Sequence, residues 1–209
     1  RTPSASSEIR RNIAFYSLLG VKYLVTTYTN LSLVEVASIE TDPWFESPFV
    51  TVGNNAVSTD FVTDQTFDTI LVRMTAEDQA STGTIKLVLD SVPHNESLHR
   101  EAQIRAESVT YRAPCKFTFA RLGIDQSTEF EITITQSDPR PGKEVAIYTY
   151  SQARQHPHLM LPGSFRVNNE TQIGYLVLSL ALHEDFLPVA YRDQDVTIYE
   201  NSKAFPRAF

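Results

Sequence analysis

Residues 130–137 read Phe-Glu-Ile-Thr-Ile-Thr-Gln-Ser, and they show the pattern on which the fold depends. Large apolar side chains occur at Phe130 and at every second residue up to Ile134, with polar residues between them. Because successive side chains of a strand point to opposite faces, this alternation predicts a β-strand with one face in a core and the other in solvent. The same pattern recurs at Ile70–Met74 and at Ile85–Leu89.

The rest of the central region also reads as strands. Further strands are predicted at Val57–Val62, Gln103–Val109, Lys116–Phe119, Glu144–Tyr150 and Ile173–Leu182. Turns separate them at Ser81–Gly83, Asp138–Gly142 and Leu161–Gly163, where proline fixes φ and glycine accepts positive φ. No segment between them has a helical period. About eight short strands with turns at this spacing predict a mainly β fold of two packed sheets, a jelly-roll β-sandwich.

The two ends of the chain have a different pattern. Ser6 or Ser7 can cap a helix, and Gly20 stands where the glycine that follows a helix belongs. The β-rich run Val21–Thr27 then predicts a strand, and Val196–Tyr199 predicts a short strand near the other end. The ends therefore predict a small α/β segment.

The distribution of charge divides the chain into three segments. Residues 1–43 hold four basic and four acidic residues, and residues 186–209 hold three of each. Residues 44–185 carry 11 basic and 18 acidic residues and thus the whole net charge of −7. We expect a helix–strand flank at 1–43, a jelly roll at 44–185 and a returning strand at 186–209, with the two flanks paired in one sheet.

Composition excludes several classes of protein. With 18 Lys+Arg against 25 Asp+Glu, the chain has no basic field to neutralise phosphates, so we expect no nucleic-acid partner. No apolar run reaches the roughly 18 to 20 residues that span a bilayer. Cys115 is the single cysteine, which excludes an internal disulfide. Because the chain begins with Arg1 and shows no signal peptide, we expect a piece of a longer polypeptide.

The sequence shows no recognisable catalytic machinery. It contains no Gly-x-Ser-x-Gly motif to present a nucleophile, and its glycines are too scattered to cradle a phosphate. His156 and His158 could share a face and hold a metal, but Pro157 and the absence of nearby carboxylates favour a surface loop. His94 and His99 lie in a polar loop and are expected in solvent, and Cys115 is expected to be a buried, unreactive thiol. We therefore predict no enzymatic activity, no metal and no cofactor for this chain.

Two tyrosines are the candidates for a binding surface. Tyr148 and Tyr150 share one face of a predicted strand, opposite Val145 and Ile147. If the aliphatic face is the core, both rings point to solvent and form a platform on which sugar rings can stack. The alternative is that the strand lies between neighbours and both tyrosines are half-buried.

Two terminal segments resemble one known family. Leu18–Thr27 reads LLGVKYLVTT and Val196–Phe209 reads VTIYENSKAFPRAF, and both resemble motifs in the soluble C-terminal region of YfhO-type bacterial membrane proteins. These proteins resemble GT-C glycosyltransferases, multi-spanning enzymes that take sugar from a polyprenyl-phosphate carrier on the outer side of the membrane. The motif residues carried by the resemblance, all interpreted as structural, are Tyr199, Glu200, Asn201, Pro206 and Arg207.

The central region resembles the galactose-binding-like jelly rolls carried by extracytoplasmic parts of membrane glycosyltransferases, on the segments Phe67–Arg73, Gly83–Leu89, Phe130–Ser137 and Pro141–Tyr148. Together the resemblances imply a non-catalytic accessory domain on the extracytoplasmic face of the cell membrane. Its partners would be a carbohydrate or glycan acceptor and the membrane-embedded part of the same polypeptide. No catalytic residue of that family can be carried over. A soluble carbohydrate-binding module or lectin is the alternative, and a free-standing hydrolase ranks third.

Overall fold

The structure is a computed structural model that describes residues 9, 11–26, 33–39, 49–76, 81–110, 114–153, 156–184, 187–192 and 196–204. It is mainly β, and its sheets are antiparallel. The chain forms two compact units. Unit 1 combines Arg1–Val34 with His183–Phe209, and unit 2 is Glu35–Leu182. Unit 2 is therefore inserted between the two chain segments that make unit 1.

The α-helix α1 spans Ile13–Leu18, and short 3₁₀ turns span Glu96–Leu98 and Ala106–Ser108. The strands are β1 (Tyr23–Thr26), β2 (Leu33–Ser38), β3 (Phe49–Thr51), β4 (Val57–Thr63), β5 (Phe67–Ala76), β6 (Thr84–Val92), β7 (Arg100–Arg105), β8 (Pro114–Leu122), β9 (Thr128–Ser137), β10 (Val145–Tyr150), β11 (Ser164–Val167), β12 (Glu170–Ile173), β13 (Tyr175–Leu176), β14 (Leu178–His183), β15 (Val189–Arg192) and β16 (Thr197–Glu200).

Unit 1 contains a three-stranded sheet of described residues in the order β1-β16-β15. β1 and β16 are antiparallel, with Tyr23 opposite Glu200 and Thr26 opposite Thr197. The predicted pairing of the two flanks is thereby confirmed. The strands come from opposite ends of the sequence, so unit 1 is formed by two segments that are distant along the chain.

The end of α1 follows the predicted glycine signal. Gly20 has φ +69°, a conformation that favours glycine. Its N–H donates to the Ser17 carbonyl at 3.0 Å, and the Val21 N–H donates to the Tyr16 carbonyl at 2.9 Å. This pair of hydrogen bonds is a Schellman motif, which satisfies helix carbonyls and turns the chain towards β1.

Unit 2 contains two antiparallel sheets. One has the order β13-β10-β5-β14-β2, with β3 also beside β10 and β8 also beside β5, and the other has the order β12-β11-β4-β9-β6-β7. We call them the seven-stranded and six-stranded sheets. Each contributes its alternate apolar side chains to one core, so unit 2 is β-sandwich-like.

Three phenylalanine rings join the two sheets at the centre of this core. Phe61 and Phe130 come from the six-stranded sheet, and their ring centroids are 5.5 Å apart. Phe67 comes from the seven-stranded sheet and lies 6.3 Å from Phe61 and 5.9 Å from Phe130, edge to face. All three side chains are at most 1% exposed. The alternation read from residues 130–137 places Phe130, Ile132 and Ile134 in this core, as predicted.

Two boundaries differ from the expectations. Unit 2 begins at Glu35 and ends at Leu182, whereas the charge step placed its limits at 44 and 185. The reason is that β2 joins the seven-stranded sheet beside β14, and charge composition does not register this backbone pairing. The single strand expected at Ile173–Leu182 is divided among three strands: Gly174, with φ +139°, separates β12 from β13, and Val177 separates β13 from β14.

Removing the ring of Phe130 should test the central cluster. We expect Phe130→Ala to lower the free energy of unfolding by about 3–5 kcal/mol, since it removes a fully buried ring and leaves a cavity. Urea unfolding followed by circular dichroism measures this change. Phe49→Ala is the matched control, because Phe49 is 53% exposed, and it should cost about 1 kcal/mol or less. Equal losses in the two variants would contradict this account of the core.

Candidate functional site

The two candidate tyrosines occupy different environments. Val145 and Ile147 are fully buried, so the aliphatic face of β10 does face the core. Tyr150, however, is only 7% exposed, at the end of β10 where β13 pairs with it. The expected platform of two solvent-facing rings is therefore wrong at Tyr150. Tyr148 is half-buried, in line with the alternative reading of this strand.

Tyr148 instead forms an aromatic pair with Phe49. β3 runs antiparallel to β10 with Phe49 directly opposite Tyr148. The ring centroids are 4.6 Å apart and the rings meet at 72°, edge to face. Phe49 is 53% exposed, which leaves an aromatic surface open to solvent on this sheet. The sequence reading missed Phe49 because the three-residue strand β3 is too short to show alternation.

A row of three carboxylates crosses the outer side of the six-stranded sheet. Asp60 of β4 lies opposite Glu131 of β9, and Glu131 lies opposite Asp90 of β6. We call these residues the acidic row. Residues directly opposite on antiparallel strands share a face with their Cβ atoms about 5 Å apart, so the three charges would repel without counter-ions.

Arg166 of β11 neutralises one end of the acidic row. Its two terminal nitrogens donate to both Asp60 carboxylate oxygens at 2.9 Å each, and one also donates to Glu131 at 2.7 Å. Its Nε donates to the Ser58 hydroxyl at 3.2 Å. The hydrogen bonds to Asp60, followed by that to Glu131, raise the pKa of the Arg166 guanidinium. The arrangement ties three strands together and leaves Arg166 well satisfied, which is typical of a structural ion network.

Two histidines flank the other end of the acidic row. His99 Nδ1 lies 2.8 Å and His94 Nδ1 lies 3.1 Å from the same Asp90 oxygen. His99 Nε2 also lies 3.5 Å from Glu101, which pairs with Lys86 at 2.8 Å. The two histidines are partly exposed, as expected for a loop, but they are also paired with a carboxylate.

These contacts shift two ionisation equilibria. The hydrogen bond with Asp90 is the main cause that raises the pKa of His99 above its usual range. The hydrogen bond from Lys86 is the main cause that lowers the pKa of Glu101. Protonated His99 is thus favoured in the folded state, and the end of the row near β7 becomes more positive as the pH falls.

His158 lies beside a carboxylate that is distant from it in sequence. Its Nδ1 lies 2.9 Å from Asp64, in the turn between β4 and β5. The hydrogen bond from Gln65 and then that with His158 lower the pKa of Asp64. His156 lies close by, with its ring centroid 5.5 Å from that of His158. Nevertheless, among the described residues no three His, Cys, Asp or Glu side chains are arranged to hold a metal ion.

Cys115 has the environment expected of an unreactive thiol. It is 7% exposed, and burial raises the pKa of its thiol to about 11. It lines a shallow cavity of about 250 Å³ together with Ile104, Ser108, Thr110, Pro114 and Lys116. At neutral pH the thiol is protonated, and the protonated form is a poor nucleophile.

The motif residues near the end of the chain have structural positions. Tyr199 is fully buried, and Glu200 lies 3.8 Å from Lys22 on the neighbouring segment. Asn201 is 1% exposed, and its Nδ2 donates to the Ser17 hydroxyl and to the Val21 carbonyl at 3.0 Å each. The other two motif residues, Pro206 and Arg207, lie outside the described residues.

Comparisons with known proteins add no assignment. No protein-family model matches the chain, and no curated protein matches it either. In the described part of the chain, no helix has the length and apolar character needed to cross a membrane.

Asn201 should stabilise unit 1 through its buried side-chain hydrogen bonds. We expect Asn201→Ala to lower stability by about 1–3 kcal/mol, because it leaves buried polar groups without their partner. Faster hydrogen exchange of amides in β1 and β16 would report this loss in unit 1. Ser202→Ala changes an exposed neighbour and is the control. Exchange that is no faster in Asn201→Ala than in the control would contradict the role of Asn201.

The pair of His99 and Asp90 should make stability depend on pH. Because the pKa of His99 is raised on folding, its contribution is fully present below the unfolded-state pKa of about 6.5 and is lost as pH rises through the folded-state value. Urea unfolding of the wild type should therefore show a stabilising component that fades above about pH 6.5. This component should be smaller in His99→Gln and in Asp90→Asn. An unchanged pH profile in both variants would contradict the assignment.

Proposed function

We propose that the chain is a non-catalytic extracytoplasmic module of a membrane-embedded, glycosyltransferase-like protein, and that unit 2 binds carbohydrate. Unit 1 would connect the module to the membrane-embedded part of the same polypeptide. Unit 2 would hold a glycan acceptor near that part.

The observation that carries this proposal is the meeting of the two family-like segments in one sheet. Leu18–Thr27 contains β1, and Val196–Phe209 contains β16, its antiparallel partner. Asn201 links the two segments by donating its backbone N–H to the Lys22 carbonyl at 2.7 Å. Segments about 170 residues apart in sequence thus depend on each other physically, as motifs of one family core should.

The finer fold assignment, a galactose-binding-like jelly roll, is also part of the proposal. Successive strands of unit 2 repeatedly change sheet: β4, β6 and β9 lie in the six-stranded sheet, while β5, β8 and β10 lie in the seven-stranded sheet. Crossing between two antiparallel sheets in this way is the connectivity of Greek-key and jelly-roll sandwiches. It supports the jelly roll over two separate meanders.

For the sugar-binding surface we favour the aromatic pair of Phe49 and Tyr148. Its exposed ring area offers an apolar surface against which the C–H face of a sugar can pack. The edge-to-face contact with Tyr148 holds Phe49 in position, which reduces the entropy lost on binding. The pair replaces the Tyr148–Tyr150 platform, because Tyr150 is buried. A single small stacking surface supports weak binding, on the order of high-micromolar to millimolar Kd.

A soluble carbohydrate-binding module or lectin is the second candidate function. The exposed aromatic pair of Phe49 and Tyr148 would also support this second function. The two candidates differ in whether the open reading frame encodes membrane-spanning segments upstream of Arg1.

Glycan binding can be measured by NMR titration with a panel of mono- and oligosaccharides. We expect chemical-shift changes at amides of β3 and β10 in the wild type, and their loss in Phe49→Ser and in Tyr148→Ser. The reason is that each substitution removes one ring of the stacking surface.

Ile173→Ser is the matched control, since Ile173 is 92% exposed elsewhere in unit 2 and should not affect binding. Glu131→Gln tests the acidic row instead. Binding that is lost in Glu131→Gln but kept in Phe49→Ser would contradict the proposed surface. If no sugar of the panel shifts any amide of the wild type, the carbohydrate-binding part of the proposal fails.

A further inference from the structure

Arg73 of β5 is a half-buried arginine on the outer side of the seven-stranded sheet. Its neighbours Val72 and Met74 are fully buried in the core, so the alternation of β5 directs the Arg73 side chain away from the core. Its guanidinium forms no hydrogen bond or ion pair with another described residue. The part of the chain that the structure describes therefore leaves this cation without a counter-ion.

Arg73 shares the outer side of the sheet with the aromatic pair of Phe49 and Tyr148. Ala146 of β10 lies opposite Thr75 of β5, and residues directly opposite on antiparallel strands project to the same face. Tyr148 lies two residues after Ala146 and therefore projects to that face. Arg73 lies two residues before Thr75 and does the same. Phe49 joins them because it lies directly opposite Tyr148.

Val177 lies between Tyr148 and Arg73. Its N–H donates to the Tyr148 carbonyl at 3.2 Å, and its carbonyl accepts the Arg73 N–H at 3.0 Å. Leu176 and Leu178 are buried in the core, so the half-buried Val177 side chain points to the outer side. The outer side thus carries one row of side chains across the strands, which we call the cross-sheet row: Phe49, Tyr148, Val177 and Arg73.

The cross-sheet row changes from aromatic to cationic along its length. Neighbouring strands lie about 4.8 Å apart, so the backbone of Arg73 stands about 10 Å from that of Tyr148, with Val177 between them. A pyranose ring and one substituent at its edge fit within this span. A sugar that packs its C–H face against the aromatic end can therefore direct a ring substituent towards the Arg73 guanidinium.

The charges near the row favour an anionic substituent. Lys116 of β8 is exposed and lies opposite Leu71, two residues from Arg73 on the same side of the sheet. Glu144, which precedes β10, lies four residues from Tyr148, and a backbone N–H of the preceding turn already donates to its carboxylate. The acidic row lies on the outer side of the other sheet. Because the screening length at physiological salt is about 8 Å, the two nearby cations outweigh those carboxylates at the row.

A carboxylate is the anion that fits the guanidinium of Arg73. The planar guanidinium donates two parallel hydrogen bonds to the two oxygens of a carboxylate. In a hexuronic acid the carboxylate is bonded directly to the sugar ring and lies at its edge. The flat face of such a sugar can contact the aromatic rings while its carboxylate reaches the arginine. A neutral hexose has a hydroxymethyl group at that position, which leaves the charge of Arg73 without a partner.

We propose that the cross-sheet row binds a hexuronic acid residue of an acidic glycan. The sugar ring packs against Phe49 and Tyr148, and its carboxylate accepts hydrogen bonds from Arg73. This inference deepens the proposed function by naming the class of glycan, and it rests on that proposal for the binding of sugar at the aromatic pair.

The test is NMR titration of the 209-residue chain with galacturonic acid and galactose, and with glucuronic acid and glucose. The members of each pair differ only in a carboxylate that replaces a hydroxymethyl group. We expect each acid to bind about fivefold more tightly than its neutral partner, because only the acid forms the ion pair with Arg73. Added salt should reduce this preference.

Arg73→Gln should abolish the preference for the acids but keep the weak binding of galactose and glucose, since it leaves both aromatic rings in place. Arg73→Lys keeps the charge without the planar fork, so it should retain only part of the preference. Arg105→Gln is the matched control, because Arg105 is an exposed arginine of β7 in the other sheet and its loss should leave the preference unchanged. Circular dichroism confirms that each variant is folded.

Equal affinities of the wild type for the acids and the neutral sugars overturn this inference and leave the proposed function standing. A preference for the acids that survives in Arg73→Gln has the same consequence. Tighter binding of galactose 6-sulfate than of galacturonic acid identifies a sulfated sugar instead of a carboxylated one, and it also overturns the inference. If no sugar shifts any amide of the wild type, the inference fails together with the carbohydrate-binding part of the proposed function.

Discussion

The packing of Phe61, Phe67 and Phe130 between the two sheets is the contact on which unit 2 depends. Phe61 and Phe130 come from the six-stranded sheet and Phe67 from the seven-stranded sheet, so their contact fixes which strands of the two sheets face each other. The alternation of side chains along each strand then determines which residues face away from the core. Once apolar residues occupy the inside, the intervening residues must lie outside, and the acidic row is a consequence of the core.

Unit 1 is held together in a different way. Among its described residues few large side chains are fully buried, and Tyr199 is one of them. The buried polar residue Asn201 links its helix to its strands. Asn201 contacts Ser17 at the end of α1 and the carbonyl of Val21 before β1. A buried amide with several partners specifies one arrangement, because any other leaves its donors unsatisfied.

The sequence predicted long alternating strands well and short ones poorly. β5, β6 and β9 have nine or ten residues each and a clear period of two, whereas β3 has three residues and shows none. β11 was missed, although Asn168 and Asn169 adopt φ +49° and +71° in the hairpin turn that follows it. Both central residues of such a turn need a positive φ, which asparagine tolerates, so the sequence held a signal for this turn.

The candidate site could not be predicted from the sequence as well as the long strands could, and the reason is physical. Tyr148 and Tyr150 project to the same face of their strand, because they are two residues apart. Whether a residue on that face is buried depends on which neighbouring strand covers it. The period of apolar residues in the sequence does not show which strand that neighbour is. For the same reason it does not show that Asp60, Glu131 and Asp90 lie close together, because the register between their strands sets their proximity. Local pattern fixes the face on which a side chain lies, whereas its partners across the sheet follow from long-range pairing.

In both units the side chains that hold the fold together differ from the exposed apolar side chains. In unit 2 the core rings stabilise the sandwich, whereas the aromatic pair of Phe49 on β3 and Tyr148 on β10 lies outside the central cluster. In unit 1, Tyr199 and Asn201 are buried, whereas Val25 and Tyr191 are exposed. Because exposed side chains contribute little to the core of their own unit, they can change without unfolding the domain that carries them. The proposed carbohydrate-binding module requires this independence, since its contact surface must fit a glycan while the fold is kept.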